Sequence, residues 1–276
     1  MYEGIKLDYR SFRAVPCTQR VGAELLGIDL GGPLDELQVA ELKDALARYQ
    51  VIFFRDQRLD HEAHKAFGRH FGPLALHSAV AGIAGHPEIV AIHADADSKY
   101  VAGESWHSDL SCDAEPPLGS VLYLHTVPPV GGDTLFASMY AAYEALSPRM
   151  RAYLEGLSAV HDANPVYHKL FKDYDKRYPC NAHPVVRTHP ATGRKLLFVN
   201  SSYTTHIEGV PDDESEAILG FLFRHVMNPN FQLRFRWQAN SIAFWDNRAV
   251  QHLAVWDYFP QVRSGHRVTI AGDKPY

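Results

Sequence analysis

From residue 89 onward the chain is cut into short apolar segments separated by turns, at 89–92, 120–124, 134–137, 184–188, 195–199, 232–237, 241–245 and 267–271. Segments this short read as strands. Gln232-Leu-Arg-Phe-Arg-Trp237 alternates strictly, which puts Leu233, Phe235 and Trp237 on one face of a half-buried strand. Thr192-Gly193, just ahead of Arg194, marks the turn between two of them. Helical periodicity is confined to three places. Residues 33–49 open with Pro33-Leu34-Asp35, carry Leu34, Leu37, Leu42, Leu46 and Tyr49 on one face, and run into the buried-strand pattern Val51-Ile-Phe-Phe54. Residues 61–70 form a second helix, ended by Phe71-Gly-Pro73. Residues 211–228 form a third, with Asp213 and Glu216 at capping-box spacing and Ile218, Leu219, Leu222 and Val226 as its apolar face. The regular βαβ alternation of a doubly wound sheet is missing, so the pattern predicts an α+β protein built on a β-sandwich or barrel. No repeat or Gly/Ser linker interrupts it, and residues 1–276 are expected to form a single domain.

Composition narrows the partners. With 46% hydrophobic and 21% charged residues, the 276-residue chain can bury a sizeable core. The net charge of −5 and the absence of a basic block argue against nucleic acid, and the absence of an 18-residue apolar run argues against a membrane span. Residues 1–11 lack the apolar centre of a secretory leader. Cys17, Cys112 and Cys180 are odd in number and widely spaced, so neither a disulfide framework nor a cysteine zinc site is expected, and a cytoplasmic setting is.

Sixteen histidines point to metal chemistry without locating it. GxGxxG, Walker A, GxSxG and HExxH are all absent; His61-Glu-Ala-His64 has its histidines three apart and reads as a solvated helix face. What remains is a 2-His-1-carboxylate triad, in which His-x-Asp or His-x-Glu places both ligands on one face of an extended segment. His93-Ala-Asp95, His107-Ser-Asp109 and His206-Ile-Glu208 all offer it. The first and third lie in polar, loop-like surroundings. The second follows Trp106 and leads through Pro116-Pro117 into a strand, the supported setting a metal ligand needs. His252, after the strand 241–245 and the turn Asp246-Asn-Arg248, is the best distant third ligand, against the plainer reading of a core histidine bonded to the backbone. Arg263 and Arg267 fall on one face of an extended segment and suit bidentate capture of two anions, unless each is simply a surface ion pair.

Trp106-His-Ser-Asp109, Gly131-Gly-Asp-Thr134, Trp245-Asp-Asn-Arg248 with Gln251-His252, and His266-Arg-Val-Thr-Ile-Ala-Gly-Asp-Lys-Pro275 resemble the taurine dioxygenase (TauD/TfdA) family of Fe(II)- and 2-oxoglutarate-dependent dioxygenases. The likeness extends to Gln50-Val-Ile-Phe-Phe-Arg-Asp-Gln57, His183-Pro-Val-Val-Arg-Thr-His-Pro190 and Phe198-Val-Asn200, and so covers essentially the whole chain in order. It implies a double-stranded β-helix (jelly roll) core flanked by helices. It further implies that His107, Asp109 and His252 bind Fe(II), and that Arg263 holds the distal carboxylate of 2-oxoglutarate beside the Thr134 hydroxyl. His77 and Arg267 match the pair that grips the substrate sulfonate in taurine enzymes. Other pocket positions depart: Gly103 stands in place of an Asn, Val80 in place of a Tyr, and Tyr167 and Tyr203 in place of two Phe. That exchange is expected to open the pocket to an anion bulkier than taurine.

The resemblance implies oxidative decarboxylation of 2-oxoglutarate to succinate and CO2 with O2, coupled to hydroxylation of a substrate C–H bond. The expected substrate is a small organic anion, an alkyl sulfonate or sulfate ester first, a carboxylate such as an aryloxyalkanoate or a larger biosynthetic metabolite second. A homodimer or homotetramer is expected by the same analogy. Readings from other classes are a zinc hydrolase, which needs no paired arginines, and a silent jelly-roll binding protein, which calls for a broken triad or a missing Arg263.

Overall fold

The computed structural model describes residues 8–276, so the expectation about a leader falls mostly outside the described residues. It is an α+β protein. Its largest sheet has eight strands, in the order Arg13–Pro16, Ala23–Leu26, Val51–Phe54, Ser241–Asp246, Gly119–Thr126, Arg263–Ile270 and then Leu74–Ala75, with Ile89–Ala94 also paired to Arg263–Ile270. All neighbours are antiparallel except Ala23–Leu26 with Val51–Phe54. A three-stranded sheet has Thr134–Ser138 between Gln232–Phe235 and Val250–Ala254.

The large sheet is buried on both faces, which explains why its central strands read as continuous apolar runs. Ile52, Phe54, Val121, Tyr123, Ile242, Phe244, Val268 and Ile270 pack with Leu42, Leu46 and Phe67 of the first two helices. Their alternates, Val51, Phe53, Leu122, Leu124, Ala243 and Trp245, pack with Phe136, Leu233, Phe235 and Val250 of the three-stranded sheet and with Trp237. The expected one-sided strand with Leu233, Phe235 and Trp237 buried is thus present.

Four local expectations change. Helix Glu36–Tyr49 starts at a capping box formed by Asp35 and Gln38, but Leu37 faces solvent. Glu41 is buried in the helix instead, because its carboxylate accepts the backbone N–H groups of Arg10 and Ser11. In helix His61–Arg69, His64 is not on a solvated face: it is buried with Nε2 donating to the Val121 carbonyl at 3.1 Å. Helix Asp212–Val226 forms no capping box; Pro211 occupies the cap position, and the Ser215 hydroxyl accepts from Ile207 N–H. The strand expected at 267–271 begins earlier, at Arg263, which brings both arginines onto one strand.

A third layer carries part of the candidate site. Ser158–Asp162 pairs with Thr204–Ile207 and Cys180–Pro184, and helix Asn164–Phe171 follows it. His206, expected in a loop, therefore lies in a strand with its side chain exposed. The helices Met139–Glu144 and Pro148–Leu154 and the strand Val250–Ala254 were not evident from periodicity.

Candidate active site

His107 and His252 face one another across an antiparallel backbone pair, His107 N–H to His252 O (3.1 Å) and the reverse (2.8 Å). Asp109, two residues on, reaches the same point: its Oδ1 lies 3.6 Å from His107 Nε2 and 3.8 Å from His252 Nε2. All three residues are buried, and one ligand atom from each lies within 4.8 Å of the others. Among the described residues this is the only group of histidine, cysteine and acidic side chains so arranged. Hydrogen bonds orient His107 and Asp109, while His252 Nδ1 is buried without a partner. His107 Nδ1 faces the Ser105 carbonyl at 2.8 Å and must donate to it, which leaves the Nε2 lone pair for a metal. Ser120 donates to Asp109 Oδ2 (2.7 Å), leaving Oδ1 toward the imidazoles, and Asn247 accepts the Asp109 N–H. His252 is packed between the rings of Trp245 and Phe136. Burial alone would raise the Asp109 carboxyl, yet Arg267, His252 and His107 hold it well below the usual carboxylate range. Burial, and then the neighbouring His107, keep His252 neutral. Two imidazoles and one carboxylate with short mutual separations fit a divalent first-row metal such as Fe(II).

Arg263 lies on the strand leading away from this point and is buried. Its Nε donates to the Gly132 carbonyl (3.1 Å) and its Nη2 to Thr134 Oγ1 (3.4 Å), while the guanidinium sits 5.6 Å from the centre of the Trp237 ring. Gly132 adopts φ +72°, and a Cβ there would lie 3.3 Å from Arg263 Cδ, so glycine suits both the turn and the close approach. Trp237 Nε1 also donates to Thr134 Oγ1, so the threonine hydroxyl keeps its own proton free to donate outward. Among the described residues no carboxylate forms an ion pair with Arg263, an unusual condition for a buried cation.

Arg267, on the same strand, is in different company: its Nη1 donates to Asp109 Oδ1 at 2.9 Å, and its Nε is buried without a partner. His77 stands nearby. Its Nδ1 accepts the N–H groups of Ala79 and Val80 (3.1 and 3.2 Å), and burial, then Arg267, push its pKa down to about 4. The ring is therefore neutral with its proton on Nε2, a donor. Tyr167 lies 6.4 Å from His77 between ring centroids, and its hydroxyl meets that of Tyr203 at 3.2 Å. Val80 is partly exposed. Gly103, at φ +88°, sits against His107: a Cβ would lie 2.9 Å from His107 Cε1. The space gained by glycine there is thus space for the His107 ring itself.

The other two His-x-acid pairs do not join this group. The exposed His93 hydrogen-bonds Asp95 at 3.2 Å, and His206 is exposed beside Thr205. Sequence reasoning missed Ser105, Ser120 and Trp237, single polar groups with no spacing signal. It quoted the residues around Asp246 without a role. Asp246 is buried, bonded by Arg248 (2.8 and 2.7 Å) and His189 (3.0 Å), while the neighbouring Arg187 reaches Asp273 at 3.0 Å. This network braces the turn that delivers His252.

Fold and site thus define an α+β protein with a His/Asp/His metal centre flanked by two arginines. Residues 13–269 match the family described as taurine catabolism dioxygenase TauD, TfdA family. A Schizosaccharomyces pombe relative, described as a candidate alpha-ketoglutarate-dependent sulfonate dioxygenase, is 38% identical over 277 residues, covering 92% of this chain and 70% of its own. The alpha-ketoglutarate-dependent sulfate ester dioxygenase of Pseudomonas putida is 34% identical, covering 94% and 89%. The crystal structure of a taurine dioxygenase from Burkholderia xenovorans superposes with a TM-score of 0.85 at 40% identity, covering 96% of this chain and 92% of its own. The chain belongs to the TauD/TfdA family. It is an oxidoreductase of the 2-oxoglutarate-dependent dioxygenase class, with Fe(II), 2-oxoglutarate and O2 as its cofactor and co-substrates. That class replaces the zinc-hydrolase and silent-binding readings.

Proposed function

We propose that the chain hydroxylates a C–H bond of a small organic anion, a sulfonate or sulfate ester bulkier than taurine, with release of succinate and CO2. The observation that carries this reading is the pair of anion sites beside one metal centre: Arg263, buried without an acidic partner, and Arg267 with the neutral donor His77 next to Asp109. His107, Asp109 and His252 would hold Fe(II), which when bound supplies O2 activation coupled to decarboxylation of 2-oxoglutarate. Arg263 retains guanidinium N–H groups for the distal carboxylate, and the free proton of Thr134 Oγ1 adds a further bond. Arg267 and His77 together present donors to a tetrahedral oxyanion, holding the neighbouring C–H bond near the metal. Ala79 and Val80 fix the tautomer that makes His77 a donor. Hydroxylation of a carbon bearing sulfonate or sulfate leaves an unstable product, so the anion would be released.

The two relatives described for sulfonates and sulfate esters support this substrate class, and a relative described as a 2,4-dichlorophenoxyacetate dioxygenase, 34% identical, supports a carboxylate as the second reading. Two sheets enclosing one apolar layer support the reading of the core as a double-stranded β-helix within one domain. Among the described residues no helix is long and apolar enough to cross a membrane, and the three unpaired cysteines suit a reducing cytoplasm. A dimer or tetramer belongs to the same proposal. The test is a screen of Fe(II)-loaded protein for substrate-dependent succinate formation across taurine, longer alkylsulfonates, alkyl sulfates and aryloxyalkanoates. Succinate released with longer sulfonates or sulfates ahead of taurine is expected; turnover with aryloxyalkanoates alone would overturn the substrate class.

A further inference from the structure

The Tyr167–Tyr203 pair has a spare proton. Both rings are buried, and they sit among Leu110, Cys112, Ala163 and Tyr178, surroundings that offer no acceptor in a side chain of their own except a weak thiol and a phenol. Two hydroxyls 3.2 Å apart carry two protons, and only one can lie between them. Among the described residues neither hydroxyl has another hydrogen-bond partner, so one O–H donor is left over in an apolar pocket. The pair also stands at the site. Leu110, which packs with both rings, directly follows the metal ligand Asp109, and the charge of Asp109 acts on both phenols while that of Arg267 acts on Tyr167. On the other side the Tyr167 ring lies 6.4 Å from His77.

We propose that the Tyr167–Tyr203 hydroxyl pair is a second polar contact for the substrate, donating to an ether, ester or carbonyl oxygen carried a few bonds from the anionic group. This rests on the assignment of Arg267 and His77 to the anion. The anion is fixed at one end by Arg267 and His77, and the hydroxyl pair, carried on the ring that neighbours His77, answers an acceptor further along the substrate. A plain alkyl chain of equal length leaves the donor unanswered in a buried place, whereas an oxygen at the right position satisfies it. Substrates bearing such an oxygen are therefore preferred over their all-carbon counterparts.

The experiment uses matched probes: pentyl sulfate against 2-ethoxyethyl sulfate, in which one oxygen replaces one methylene, with the corresponding sulfonates and carboxylates. The Fe(II)-loaded, full-length enzyme is expected to favour the ether member by roughly tenfold in kcat/KM for succinate formation. Calorimetric dissociation constants for the same probes should give the same preference. The double variant Tyr167→Phe/Tyr203→Phe removes both protons and should bring the ratio close to one. Each single variant also leaves one unanswered proton: the one that keeps the substrate-facing hydroxyl should retain the ether preference and the other should lose it, which also covers the case of a poorly folded double variant. A ratio near one in the unmodified enzyme, or a ratio unchanged while both rates fall together, overturns the proposal; the latter is what a packing role alone produces. If only the carboxylate pair turns over, the sulfonate and sulfate ester assignment fails, while the ratio within that pair still decides the role of the tyrosines.

Discussion

Arg263 and Arg267 lie on one strand, yet the regions around them are built differently. Around Arg263 the hydrogen-bond and ring partners come from the sheets or the turn that feeds them: Gly132, Thr134 at the start of Thr134–Ser138, and Trp237 just beyond Gln232–Phe235. Around Arg267, apart from Asp109, the neighbours come from a connecting segment and the third layer: His77 between two strands and Tyr167 on helix Asn164–Phe171, with its partner Tyr203 just ahead of Thr204–Ile207. The first region, proposed to bind 2-oxoglutarate, sits on rigid elements. The second, proposed to read the substrate, sits where a chain can vary without disturbing the sheets.

Variants can break that contrast at its shared centre first. His107→Ala and Asp109→Ala are expected to abolish succinate formation, whereas His93→Ala and His206→Ala should change it by less than about twofold, since exposed pairs contribute little. Activity surviving in the first pair would detach the metal centre from both arginines. A smaller effect is expected at Gly103, where an added Cβ meets His107 and φ is +88°. Gly103→Ala should weaken Fe(II) binding about tenfold, read from the Fe(II) dependence of succinate formation, because the ring it displaces is a ligand. An unchanged dependence would mean the loop simply moves aside.

The smallest effect lies outside both regions. Burial pushes the pKa of His64 down to about 4 from its ordinary 6.5, with the Val121 carbonyl partly opposing the shift. The unfolded chain then binds more protons than the folded one between those values, so stability should fall as pH falls from 6.5 toward 4, by at most roughly 3 kcal/mol from this residue. Urea unfolding at pH 7.5 and 5 checks it, and His64→Gln should flatten the slope. An equal slope in the variant would place the acid sensitivity elsewhere.

The sheets and the candidate His/Asp/His cluster were legible because both depend on local pattern. Alternation marked Gln232-Leu-Arg-Phe-Arg-Trp237, and His107-Ser-Asp109 satisfied the period-two rule ahead of a supporting strand. Periodicity failed where a long-range polar partner decided burial: Glu41 is held inside by the backbone of Arg10 and Ser11, and His64 by Val121. It also could not show that the Asp246–Arg248–His189 network braces the turn before His252, since those contacts join residues far apart in the chain. Choosing His107 over His93 and His206 rested on context, and the geometry explains why: only His107 has a backbone pairing that sets it opposite His252.

The assignment of two anions to two arginines is tested most directly by steady-state kinetics of Arg263→Ala and Arg267→Ala, with 2-oxoglutarate and the sulfonate or sulfate varied in turn. Arg263→Ala should raise the KM for 2-oxoglutarate by about a hundredfold with little change for substrate, and Arg267→Ala should do the reverse, each losing one charged anchor. Identical shifts in both constants for the two variants would contradict the account.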